Sequence, residues 1–182
     1  MGAEQLAFLL GCLFPSLGIF YADARYRLVP DRLILSILLA GLVGSVYTHR
    51  LPDALLGTAL GFGIFILPCL FNLAGGGDLK CAAALGAWLG PYGLTCALFI
   101  AVLLGTAWGV ILKLRRGVLA GWAKTLLIGL YLRVICGVKG AVPVPKIPEH
   151  PDVPTPPDTV PFGACMVVAV WVLWGLNLLK GW

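Results

Sequence analysis

Five stretches of this chain run for sixteen or more residues without a charged side chain: 5–22, 33–48, 54–77, 81–112 and 162–179. A helix rises 1.5 Å per residue, so about 20 apolar residues cross the hydrocarbon core of a bilayer. With 60% hydrophobic residues, 12% charged residues and a mean hydropathy of +0.97, 182 residues carry more apolar surface than one soluble core buries. The sequence therefore predicts an all-α integral membrane protein, a single polytopic domain over 1–182. Lipid must serve as its solvent.

The run 81–112 is too long for one ordinary span. Its interior Gly90-Pro91-Tyr92-Gly93 is a turn signal, because proline removes a backbone donor and glycine weakens a helix. Six transmembrane helices follow, at about 5–22, 33–48, 54–74, 79–90, 93–112 and 162–179. The stretch 117–138 has helical apolar spacing interrupted by Lys124 and Arg133, which reads as an amphipathic helix lying on the membrane surface. A rival reading makes 81–112 one overlong span and this stretch the fifth. Eight of the thirteen prolines fall in 141–161, which reads as an extended linker.

Lys and Arg set the orientation. Arg25, Arg27 and Arg32 follow the first span and Lys113, Arg115, Arg116 and Lys124 the fifth, so these loops belong in the cytoplasm and both termini outside. The net charge of +5 lies beside apolar runs, which argues for the membrane surface and against nucleic acid. The six cysteines are scattered singly, so neither a zinc site nor a disulfide framework is expected. Leu9-Leu10-Gly11-Cys12 is a poor lipidation box with Glu4 before it, and the first run is expected to remain as a span.

Against this apolar background two carboxylates stand out. Asp23 closes the first run and Asp78 the third, and an ionisable group at such a place is by default a functional site. The chain crosses out once and back once between them, so parity brings both to the cytoplasmic face. Two facing carboxylates that share one proton supply a base to activate water and an acid to protonate a carbonyl oxygen. Gly75, Gly76 and Gly77 before Asp78 allow the backbone to bend and a substrate strand to come close. Taken singly, each aspartate also fits a helix cap or a solvated loop, as Asp31 and Asp53 do after their prolines. Lys80 reads either as a group that orients a substrate carboxylate or tunes Asp78, or as a side chain snorkelling to the interface. Arg25 and Arg27 read either as attractors of acidic substrate groups or as topology anchors.

Asp23-x-Arg-x-x-Leu-Val-Pro30, then Gly75-x-Gly77-Asp78-x-Lys80, then Val160-Pro161-Phe162-Gly163 form an ordered set. This set resembles the type IV prepilin peptidase family of GxGD aspartic membrane proteases, and most of all its short form serving tight-adherence (Flp) pili. The resemblance implies that Asp23 and Asp78 are the catalytic dyad, with Pro30, Pro161 and Gly163 in the motifs around it. It implies cleavage of a prepilin leader at the cytoplasmic face of the bacterial inner membrane, with no metal or cofactor and with pilus assembly machinery as a further partner. Three departures matter. Asp31 stands where the family usually has Asn, and the last motif lacks the Pro-Ala-Leu of presenilin-like proteases. Nothing corresponds to the cysteine-bearing cytoplasmic domain of the large members, which puts N-methylation in doubt. The competing class is a non-enzymatic membrane protein, a small transporter or a pilus or secretion scaffold. A proton carrier, however, needs one carboxylate in mid-span, whereas these two sit at one boundary.

Overall fold

The computed structural model describes residues 3–26, 29–70, 74–117 and 160–176, with 121, 124 and 128 singly. Within them all regular structure is helical: α1 (Ala3–Phe8), a π-helical turn (Leu9–Leu13), α2 (Phe14–Tyr26), α3 (Asp31–Tyr47), α4 (Leu51–Leu70), α5 (Gly76–Arg115) and α6 (Phe162–Gly175). The expected surface helix at 117–138 and linker at 141–161 fall almost wholly outside the described residues, as does Arg27.

Three stretches, Gln5–Tyr26, Leu51–Leu70 and Gly76–Arg115, are long and apolar enough to cross a membrane. The sequence reading expected six. The helix α3 has 17 residues, at the lower end of an ordinary crossing, and α6 has 14. The run read as two spans meeting at Gly90 holds two helices, both within α5, that meet across a kink there, where φ is 64° and ψ is −176°. A positive φ costs glycine little, so the interruption falls on it and Pro91 restarts the helix. Large apolar side chains such as Leu39, Leu55, Leu67, Phe99 and Leu103 are exposed, as they must be if lipid covers them.

The chain clusters into two units, 1–105 with 161–182, and 106–160. In the second, the Cγ2 of Val160 lies 3.4 Å from where a Cβ on Gly109 would stand. The first unit holds every described candidate site residue.

Small residues make that unit possible. Gly57 and Gly61 lie one turn apart on α4 and face Gly86 and Ala82, one turn apart on α5. A Cβ on Gly61 would stand 2.6 Å from the Ala82 carbonyl oxygen, and one on Gly57 would overlap the Gly86 carbonyl. The rising number on one helix meets the falling number on the other, so the two run antiparallel with their backbones in contact, the packing a small-xxx-small pattern permits. The Trp88 ring fills the next slot, against Gly11 and Gly41, with its Nε1–H donating to the Ile37 carbonyl at 2.8 Å.

The helix α6 packs on α2. Two polar contacts fix their register: the backbone N–H of Ala164 donates to Asp23, and Trp171 Nε1–H donates to Ser16 Oγ at 3.2 Å. In each helix these residues are seven apart, two turns on one face, so α2 and α6 are antiparallel.

Candidate active site

Asp23 lies inside α2, three residues before its end at Tyr26, and not in the loop beyond the span. It is 5% exposed and is the one charged residue among the buried polar side chains of the described residues. Its Oδ2 accepts the Ala164 N–H at 2.7 Å. That donor is one of the first four N–H groups of a helix, which have no partner within the helix, and the positive end of α6 points at the carboxylate.

Asp78 lies in the first turn of α5, where Gly76 and Gly77 are already helical. Its N–H donates to the Gly75 carbonyl at 3.1 Å. Its half-buried carboxylate lies within hydrogen-bonding reach of the backbone at Gly75 and Gly163 and feels the charge of Asp23. The structure thus brings Asp23 and Asp78 together. Consecutive residues at the start of α6, Gly163 and Ala164, face the two carboxylates.

Glycine at 163 is what allows the approach. A Cβ there would stand 3.1 Å from Asp23 Oδ2, 3.3 Å from its Cγ and 3.4 Å from Val29 Cγ2. Gly77 has a matching role on the other side, since its Cβ would stand 3.2 Å from the same Val29 methyl. Gly76 faces open space, and a Cβ on Gly75 would meet Asp78 Oδ2 at 3.6 Å. Pro161 is the N-cap of α6, and its carbonyl accepts the Cys165 N–H at 3.1 Å. Pro30 caps α3 in the same way, with its carbonyl accepting from Leu33 and Ile34.

Two basic candidates sit elsewhere than beside the aspartates. Lys80 donates to both carboxylate oxygens of Asp31 at 2.8 Å, a partner the sequence reading did not consider for it. Arg25 stacks over the neighbouring Tyr26 ring, 5.9 Å from its centroid, in the last turn of α2. Among the described residues no group of three or more His, Cys, Asp or Glu is placed to hold a metal ion.

Sequence reasoning missed the N–H donors of α6, which leave no mark in residue identity. It also missed Val29 as the side chain between Gly77 and Gly163, although the Leu-Val-Pro triplet pointed to its neighbourhood.

A family model described as the type IV leader peptidase family matches residues 7–110, a span that contains both aspartates. A prepilin leader peptidase/N-methyltransferase of Xanthomonas campestris is 30% identical over 171 residues, covering 88% of this chain and 47% of that protein. Proteins of the same name from Dichelobacter nodosus and Pseudomonas aeruginosa are 29% and 36% identical over 151 and 104 residues. Those matches cover 73% and 52% of this chain, and 52% and 36% of the relatives. The chain spans about half the length of the first two, and no solved structure matches it. On the matched span, more than half of its length, the chain belongs to the type IV leader peptidase family.

Proposed function

We propose that this chain is a membrane aspartic endopeptidase that removes the leader peptide of Flp-like prepilins at the cytoplasmic boundary of the bacterial inner membrane, with Asp23 and Asp78 as the reacting pair. The observation that carries the reading is the meeting of two carboxylates, 55 residues apart in sequence, at the first N–H groups of one helix. A structural cap needs one carboxylate. Two like charges crowded at one helix end are costly unless they share a proton, and that shared proton is the reagent of an aspartic protease.

In the reaction one carboxylate takes a proton from a water held between the pair. The water oxygen bonds to the scissile carbonyl carbon, while the other carboxyl gives its proton to the carbonyl oxygen. The tetrahedral diol then collapses: one hydroxyl gives its proton to the ionised carboxylate as the carbonyl reforms, the C–N bond breaks, and the departing amine takes the proton of the other carboxyl, which resets the pair. The N–H groups of Gly163 and Ala164 are fixed before substrate arrives, so they hold the carboxylates without reorganisation during the reaction. Gly76, which faces open space, leaves room for an extended substrate backbone beside Asp78.

The test mixes purified protein with a prepilin in detergent and follows the shortened product. Asp23→Asn and Asp78→Asn are each expected to abolish cleavage while membrane insertion stays intact. Full activity in either variant would falsify the pair, and ion flux in vesicles without any shortened product would favour a transporter.

A further inference from the structure

The ion pair between Lys80 and Asp31 joins two parts of the chain that the proposed reaction leaves unused. We propose that Lys80 and Asp31 are positioning residues that hold the Asp78 turn in place through the Val29–Pro30–Asp31 strap; this rests on the reading of Asp23 and Asp78 as the reacting pair.

At 3.6 residues per turn, Lys80 leaves α5 about 200° round from Asp78, away from the carboxylates. There its Nζ meets both oxygens of Asp31, the first residue of α3. Two residues earlier in the same strap, the Val29 side chain packs against Gly77 on one side and Gly163 on the other. Pro30 between them has φ near −66°, the value its ring imposes. The strap therefore grips the start of α5 twice, by packing at Gly77 and by charge at Lys80. Through Gly163 it also touches the residue that lies against Asp23.

The ion pair is mostly exposed, 52% for Lys80 and 70% for Asp31, so it contributes little to global stability. Its effect falls on position. A reacting group displaced by 1 Å costs on the order of 10²-fold in rate, so a turn that loosens by a fraction of that shows in kcat and not in substrate binding.

The experiment measures kcat and KM for Asp31→Ala, Lys80→Ala and the double variant on a prepilin in detergent. Each single change is expected to lower kcat about tenfold with KM within twofold. The double variant should be no slower than the slower single within twofold, because both remove one interaction. Asp31→Asn, which keeps an acceptor oxygen for Lys80, should recover most of the loss. A raised KM with unchanged kcat, or losses that multiply in the double variant, would overturn the proposal. Backbone amide hydrogen exchange on the same micellar samples reads the clamp without activity. Faster exchange over 76–80 in both single variants is expected, and unchanged exchange in either overturns the pair. A wild type that cuts no prepilin would count against the proposed function alone, since the exchange measurement still decides the clamp.

Discussion

Replacing Gly163 by Ala isolates the geometry of the site from its chemistry. The new methyl would stand 3.1 Å from Asp23 Oδ2 and 3.3 Å from its Cγ, short of ordinary contact by a few tenths of an ångström. Asp23 cannot yield easily, because it is buried and already held by the Ala164 N–H at 2.7 Å. The methyl would also stand in contact with Val29 Cγ2 at 3.4 Å. Overpacking of this kind costs about 1–3 kcal/mol. Alanine in a helix regains up to about 1 kcal/mol over glycine, so the net loss of stability is about 1 kcal/mol. The rate is more sensitive, because the displaced atom belongs to the reacting pair, and a shift of a few tenths of an ångström should slow cleavage on the order of 10-fold. The assay is kcat on a prepilin in detergent beside a thermal melt of the same sample. Gly163→Ala with wild-type kcat would refute the argument, because the carboxylate would then not stand where the backbone of α6 holds it.

Two further outcomes follow from the same packing and the same pair. Gly57→Ala and Gly61→Ala insert a methyl against the Gly86 and Ala82 carbonyls and should each destabilise the fold by about 2 kcal/mol, whereas Gly63→Ala, with nothing within 4 Å, should be neutral in the same denaturation series; equal midpoints for all three would exclude the close α4–α5 contact. The cleavage rate should be bell-shaped in pH. Below the lower apparent pKa of the pair both acids are protonated and no base remains, and above the upper both are ionised and no acid remains, so a rate that only rises with pH would rule out a shared proton.

Much of the site is legible in the sequence because its ingredients are rare there. Two carboxylates at the ends of apolar runs and a glycine triplet stand out against 12% charged residues, and crossing parity suggested that the carboxylates share a side. The pairing of helices was less legible. Gly57-x-x-x-Gly61 and Ala82-x-x-x-Gly86 are a small-residue pattern that was open to reading, but glycine is abundant in this chain, with 24 residues, so the pattern does not announce which pair meets. The partner of Lys80 was hidden for another reason. An ion pair between residues 49 apart depends on how two helix starts approach, and local spacing carries no information about that approach.

Pro15 shows how a residue two turns from Asp23 still bears on where that side chain faces. Proline cannot donate to the carbonyl four residues back and its ring clashes with that carbonyl, here the one of Gly11. The helix absorbs the conflict by widening into the π turn Leu9–Leu13, which contains Gly11 and leads directly into α2. One additional residue in a turn shifts the face of everything after it by about 100° relative to everything before. Phe8, ahead of the turn, packs edge-on against Trp88 at 5.5 Å, and Ser16 and Asp23, after it, face α6. A regular helix could not serve both faces with this spacing, because turning Phe8 to Trp88 would rotate Asp23 away from the Ala164 N–H. The π turn therefore lets one apolar span pack on α5 with its first half and present a buried carboxylate to α6 with its second.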